Sequence, residues 1–341
     1  MTDAATLVVG PSWVGDMVMA QSLFKLLKAK RPGEAVDVLA PGWSLPVVAR
    51  MPEIRNGIAA ETAHGEFSLA TRRRIGKNLR GHYARAIVLP RSFKSALVPW
   101  FAGVPLRTGF RGEMRFGLIN DMRSFDSALL DQTVKRFVAL GLERDEALAS
   151  VPHPSLTLSA DNQQALAARL QLVLDRPLIA FMPGAEYGPA KCWPHEHFAT
   201  LAKQLLASGY RICVLGSDKD RAAGEQIVGA AGDPELVRNF CGETSLEDVI
   251  DLLGMTEQAV SNDSGLMHVA AAVGTHVHAL YGSTSPHFTP PLTDKRDIYY
   301  LDIECSPCNQ RVCPLGHLRC LMDIDPAGVA ATVLRRQPSV D

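Results

Sequence analysis

The sequence predicts an α/β chain made of two doubly wound parallel-sheet domains, and three observations carry that prediction. Short apolar runs suited to buried parallel strands alternate with stretches whose apolar residues recur every three or four positions, as on a helix packed against a sheet. The alternation runs twice along the chain and is interrupted at Val151-Pro152-His153-Pro154-Ser155, which reads as an interdomain linker. A length of 341 residues also exceeds what a single core usually supports. The expected domains are residues 1–158 and 159–341, each Rossmann-like, facing one another across a cleft lined by the carboxyl ends of their strands.

Each element has its local reason. Residues 6–9 are a short buried strand, and the loop Gly10-Pro11-Ser12-Trp13-Val14-Gly15-Asp16 opens a helix over 17–30. That helix sets Met17, Ala20, Leu23 and Leu27 on one side and stops at Arg31-Pro32-Gly33. A strand over 35–39 completes a βαβ unit. Helices over 44–50, 69–79 and 95–101 follow, with a strand over 84–89. In the second domain a helix over 160–172 precedes strands at 178–182, 210–215, 236–240, 258–261 and 277–281. Helices at 195–207, 221–230 and 246–253 separate them, a helix follows the turn after residue 261, and a last helix covers 325–336.

Composition narrows the function classes. A hydrophobic content of 47% with 21% charged residues describes an ordinary globular protein, and no apolar run is long enough to span a bilayer. The opening MTDAATLVVGPSW lacks the basic start and extended apolar core of a signal peptide, and seven cysteines, an odd number, fit a reducing compartment. The expected location is therefore the cytoplasm. The net charge of −1 hides an asymmetry: residues 1–160 carry 21 Lys and Arg against 14 Asp and Glu, residues 161–341 carry 14 against 22. Between 70 and 125 the basic residues Arg72, Arg73, Arg74, Lys77, Arg80, Arg85, Arg91, Lys94, Arg107, Arg111, Arg115 and Arg123 face only Glu113 and Asp121. A solvated basic face and a site for an anionic membrane or a phosphorylated acceptor both fit. No nucleic-acid partner is expected, because the aromatic residues are not interleaved with the basic ones as a stacking platform requires.

The candidate chemistry sits at strand ends. In AVSNDSGLMHVAAA, over 259–272, a strand runs through the turn Asn262-Asp263-Ser264-Gly265 into a helix, which aims free backbone N–H groups and a positive helix end at one spot. An ordinary helix cap and a phosphate site compete as readings, with Asp263 and His268 placed to hold hydroxyls or a leaving oxyanion in the second. The loop FMPGAEYGPAKCWP, over 181–194, delivers one lysine, Lys191, either to the surface or to a phosphate. Ser217 and Thr244, at two other strand ends, are helix caps or nucleoside contacts. In the first domain Asp16 lies at a helix amino end that stabilises its carboxylate; it is a cap or a base that accepts a proton from a substrate hydroxyl. Neither domain has G-x-G-x-x-G after its first strand, which argues against a dinucleotide oxidoreductase.

The segment 305–320 stands apart. Cys305, Cys308, Cys313 and Cys320, with His317 as a substitute ligand, offer enough donors for structural zinc or an iron–sulfur cluster, and free thiols or a local disulfide are the alternatives.

Seven blocks, GPSWVGDMVMAQSL, RMPEI, LPRSFKSALVPWFAG, RTGFRGEMRFGLIND, PGAEYGPAKCWP, SNDSGLMHVAAA and YGSTSPHFTPPL, resemble the ADP-heptose:lipopolysaccharide heptosyltransferases, most closely their type II branch. The resemblance spans nearly the whole chain. It implies the GT-B fold, an inverting transfer from ADP-L-glycero-D-manno-heptose, no required cofactor, and an inner-core lipid A acceptor that already carries one heptose. It also implies peripheral association with the inner face of the cytoplasmic membrane. Residue by residue, Asp16 falls on the family's general base and Lys191 on its diphosphate lysine. Asp263, Ser264, Gly265 and His268 fall on the turn that holds the donor's phosphate and heptose, and Thr244 on an adenine contact. Glu186 and Tyr187 stand where the type I branch commonly has threonines, and Ser264 where threonine is frequent, both favouring type II. Glu186 and Ser217 are expected on the donor, and Lys94 and Arg111 on the acceptor's Kdo carboxylates and core phosphates. A nucleotide-sugar epimerase or hydrolase on the same fold, or a metal or redox module at 305–320, are the competing functions.

Overall fold

The computed structural model describes residues 5–61, 66–148 and 150–336. The chain divides into two compact units, residues 1–157 and 158–341. In unit 1 the order is β1 (Ala5–Val9), α1 (Val14–Lys30), β2 (Ala35–Ala40), α2 (Leu45–Ala49), β3 (Asn56–Ala59), α3 (Leu69–Asn78), β4 (Arg85–Val88), α4 (Leu97–Phe101), β5 (Leu106–Phe110), β6 (Asp121–Arg123) and α5 (Thr133–Ala139). Its six strands are all parallel, in the order β3-β2-β1-β4-β5-β6. The chain thus winds outward from β1 in one direction, returns to β1, and winds outward again. The point of reversal lies between β1 and β4.

Unit 2 repeats the plan: α6 (Ala160–Arg169), β7 (Leu178–Met182), α7 (His195–Ala207), β8 (Arg211–Val214), α8 (Arg221–Ala231), β9 (Val237–Asn239), α9 (Leu246–Leu253), β10 (Gln258–Asn262), α10 (Gly265–Ala272), β11 (His276–Tyr281), β12 (Arg296–Tyr300), α11 (Arg319–Met322) and α12 (Pro326–Leu334). Its strand order, β12-β11-β10-β7-β8-β9, again all parallel, reverses between β7 and β10. Central strands β1, β7 and β10 are buried at every position, as sheets covered on both faces require.

The expected αβ alternation is present, with four strands the periodicity does not reveal: β3, β5, β6 and β12. Three of them are edge strands, and β3 and β12 are largely exposed, so no apolar run marks them. The segment 151–155 is not a free linker. Gln21, fully buried on α1, exchanges hydrogen bonds with the main chain of Ser155 at 2.7 and 2.8 Å, and Ser22 donates to the Pro152 carbonyl at 2.6 Å. Lys25 donates to the His153 carbonyl at 2.8 Å. With the bond from Lys25 to Ser155 Oγ at 2.7 Å, five polar bonds hold this segment against α1.

The core of unit 2 joins Trp193, Phe198, Leu201 and Leu205 to Val329, Ala330 and Val333 of α12. Trp193 donates its indole N–H to the Ile324 carbonyl at 3.2 Å, which places the loop before α7 against the approach to α12. No helix among the described residues is long and apolar enough to cross a membrane.

Candidate active site

In doubly wound sheets ligands bind beyond the carboxyl ends of the strands where the winding reverses. In unit 2 that point is bordered by the loop after β7 and the turn after β10, which carry Lys191 and Asp263. Lys191 Nζ lies 2.6 Å from Asp263 Oδ2, with side chains 14% and 5% exposed. Thr284, just beyond β11, donates to the same carboxylate oxygen at 2.5 Å. Asn262, fully buried, stitches the two loops together: its Nδ2 donates to the Pro183 carbonyl at 2.6 Å and its Oδ1 accepts from the Trp193 N–H at 2.9 Å.

The helix end beside this pair is uncapped by side chains. Ser159, Ser245 and Asp325 each accept from N–H groups of the helix they begin. Ser264 holds the same position before α10 without such a bond, its hydroxyl lying instead 3.5 Å from Ser261 Oγ. The Ser264 side chain thus does not cap α10, and the dipole and amide groups of α10 stand beside the Lys191 ammonium, an arrangement that suits an anion. His268, one turn into α10, is buried, and burial pushes its pKa down to about 4 despite the nearby Asp263 charge. It is a neutral imidazole at neutral pH and can donate one hydrogen bond without adding charge.

The remaining expected donor contacts differ in state. Glu186 is exposed and ion-paired with Lys219 at 2.6 Å. Ser217 caps the turn before α8: its N–H and hydroxyl both reach Asp220 Oδ2 at 2.8 Å. Thr244 Oγ1 and Ser283 Oγ are buried with no hydrogen-bond partner, at the carboxyl ends of β9 and β11. Asn262, Thr284 and Ser283 are site features that sequence reasoning missed, although the polar turn pointed to the first.

The segment 305–320 supports the Lys191 loop. Asn309 donates its N–H to the Ser283 carbonyl at 2.7 Å, and its own carbonyl accepts from the Tyr187 hydroxyl at 2.8 Å. The Arg311 carbonyl accepts from the Ala190 N–H at 3.0 Å. Gly188 has φ +151°, and a Cβ there would sit 2.5 Å from that Arg311 oxygen, so only glycine allows the approach. Lys191 Nζ and Arg311 Cζ stand 5.1 and 5.4 Å from the centroid of the Tyr187 ring. All seven cysteines are free thiols, and among the described residues the group of three ligand atoms lying mutually within 4.8 Å is His276, His278 and Asp297. Burial, and then the neighbouring Cys305, Cys308 and Cys313, push the Cys320 thiol pKa up.

In unit 1 the reversal point holds a cleft of about 360 Å³, bordered by Pro11 to Trp13, Asp16, Leu89 to Arg91, Phe110, Phe125 and Arg136. Asp16 lies half-buried in the first turn of α1, whose amino end favours its charged form. Arg91 and Arg136 line this cleft, while the expected Lys94 and Arg111 do not. Lys94 donates to the Glu66 carbonyl at 3.3 Å, and Arg111 is exposed. Part of the basic stretch proves to be internal scaffolding. Arg115, fully buried, donates to the carbonyls of Pro90 at 2.7 Å and Phe110 at 2.5 Å; Arg72 donates to Phe67 and Arg107 to Leu118. A second cleft, about 350 Å³ near Leu178, Arg211 and Glu235, opens at the amino ends of β7 and β8, away from the strand ends that bind ligands.

One sheet reversal presents a lysine beside a helix end without a side-chain cap, and the other presents a carboxylate, parts suited to a transferase that handles an anionic group. Residues 72–319 match the profile of glycosyltransferase family 9 (heptosyltransferase), and the chain belongs to that family. It is 45% identical over 332 residues to the lipopolysaccharide heptosyltransferase 2 of Salmonella typhimurium, covering 95% of each chain. It is 46% identical over 307 residues to the lipooligosaccharide heptosyltransferase 2 of Haemophilus influenzae, covering 86% of this chain and 88% of that one. The solved ADP-heptose lps heptosyltransferase II of E. coli superposes with a TM-score of 0.86 at 43% identity, covering 97% of this chain and 98% of that one. The GT-B architecture is shared with these relatives.

Proposed function

We propose that the protein transfers L-glycero-D-manno-heptose from ADP-heptose to the first heptose of the lipopolysaccharide inner core. The observation that carries this reading is 45% identity over 95% of the chain to a relative named lipopolysaccharide heptosyltransferase 2. The geometry supplies parts suited to it. Lys191 and the amino end of α10 hold the diphosphate and take up the negative charge that grows on ADP as its bond to the anomeric carbon breaks. Asp263, Ser264 and neutral His268 hold the heptose and phosphate oxygens. The orphaned Thr244 hydroxyl supports a nucleoside contact there. The acceptor hydroxyl attacks the anomeric carbon from the face opposite ADP, and Asp16 takes its proton in the same step, giving inversion. ADP leaves readily, so no second carboxylic acid is needed to protonate it. The basic face of unit 1 suits an acceptor embedded in an anionic membrane, which supports reading the enzyme as peripheral on the cytoplasmic side.

The test is incubation with ADP-heptose, with and without a lipid A core acceptor bearing one heptose, measuring ADP release and acceptor mass for wild type and Asp16→Asn. The expected result is one added heptose, ADP released only with acceptor, and a loss of about 10²- to 10⁴-fold in rate for the variant. ADP release without acceptor, or an acceptor that never gains mass, overturns the reading.

A further inference from the structure

The segment 305–320 does more than brace the Lys191 loop: it brings a cation there. Asn309 takes a left-handed φ of +54°, a conformation that asparagine tolerates better than most residues with a side chain. Two residues on, the Arg311 carbonyl is fixed by the Ala190 N–H at 3.0 Å, against a glycine at 188 that leaves it room. The Arg311 side chain lies over Tyr187, with Cζ 5.4 Å from the centroid of the ring, and Lys191 Nζ stands 5.1 Å from the same centroid. The ring is anchored in turn through its hydroxyl, which donates to the Asn309 carbonyl at 2.8 Å. A guanidinium over an aromatic face is attracted by the quadrupole of the ring, so Tyr187 holds the Arg311 head without neutralising it.

The balance of charge singles Arg311 out. Lys191 is paired with Asp263 at 2.6 Å and Glu186 with Lys219 at 2.6 Å, so neither pair carries a net charge. His268 adds none at neutral pH, because burial holds its pKa at about 4. A diphosphate brings more than one negative charge to this corner, and the amino end of α10 answers with only about half a unit. Arg311 is exposed, and among the described residues no carboxylate pairs with it. Its planar fork matches phosphate oxygens two at a time. We propose that Arg311 binds the diphosphate of the donor from the side of the Tyr187 ring and supplies the positive charge that the Lys191–Asp263 pair cancels. The proposal rests on the reading of the Lys191 corner as the diphosphate site of an ADP-sugar donor. It gives the segment 305–320 a part in holding that donor.

The experiment measures equilibrium binding of ADP and of adenosine to wild type, Arg311→Gln and Arg311→Lys at several salt concentrations, with steady-state transfer and thermal unfolding alongside. Arg311→Gln weakens ADP binding about tenfold or more, the loss expected of a charge-assisted hydrogen bond, and raises the KM for ADP-heptose, while adenosine affinity and the KM for acceptor stay within about twofold. Its ADP affinity also depends less steeply on salt than that of wild type, because a cation has left the site. Arg311→Lys recovers part of the affinity, and the thermal midpoint of both variants matches wild type, as an exposed side chain requires. An ADP affinity in Arg311→Gln within about twofold of wild type, an equal loss for adenosine, or a loss that tracks a lowered thermal midpoint overturns the proposal. If wild type binds ADP yet transfers no heptose, the functional reading fails separately, and the ADP comparison still judges Arg311. If wild type binds no ADP, inorganic pyrophosphate is the probe, and equal or absent binding in wild type and Arg311→Gln overturns the contact.

Discussion

Replacing Lys191 by methionine separates its role in the fold from its role in the reaction. Its ammonium is 2.6 Å from Asp263 and mostly buried, so removal leaves a carboxylate that is only 5% exposed with the Thr284 hydroxyl as remaining partner. Breaking such a pair costs about 3 kcal/mol of stability. Toward the reaction, a unit charge about 4 Å from a developing charge, at an effective dielectric constant of about 20, contributes about 4 kcal/mol. The nearby Asp263 charge offsets part of that, and a residual 2 to 4 kcal/mol corresponds to a fall of about 30- to 1000-fold in kcat/KM. Urea unfolding and ADP release in the presence of acceptor read the two effects. Adding Asp263→Asn to Lys191→Met relieves the buried charge and recovers most of the stability, while transfer stays low. A Lys191→Met enzyme that loses stability but keeps kcat/KM within about threefold of wild type would refute the reasoning and leave Lys191 a structural residue.

Three further outcomes follow from named contacts. His268 and His278 are held by burial at about 4 and about 3, below the 6.5 of a free imidazole; the unfolded chain therefore binds more protons, and stability present above pH 6.5 is lost as pH falls toward 4. The slope, up to about 1.4 kcal/mol per pH unit for each histidine, should drop by one proton's worth in His268→Gln when unfolding is followed across that window. Asn262→Ala removes its two bonds to the β7 loop and costs about 2 to 4 kcal/mol in urea unfolding, with a raised KM for ADP-heptose and an unchanged acceptor KM. Arg115→Met removes the buried guanidinium donor of the Phe110 carbonyl and leaves Pro90 with the Ser95 hydroxyl as donor, lowering the thermal midpoint by several degrees, whereas Arg73→Ala, at an exposed position, stays within about 0.5 kcal/mol of wild type.

The amino-acid sequence by itself determined the α/β class, the two repeats of the plan and the position of the turn at 262–265. Those features are local: a strand buried on both faces must be apolar along its length, and a polar turn between strand and helix is legible wherever it falls. The fold decided what depends on pairing across the chain. Strands β3, β6 and β12 form because an inner neighbour offers its edge, so they need no apolar run of their own. Among twelve basic residues between 70 and 125, sequence composition cannot separate Arg115, sealed inside unit 1, from Arg111, exposed four residues earlier. Nor does it show that Arg91 and Arg136, rather than Lys94 and Arg111, reach the cleft beside Asp16, or that the segment 305–320 braces the Lys191 loop. Charge and ligand type are written in residues one at a time, whereas burial and convergence are properties of elements brought together by the sheet.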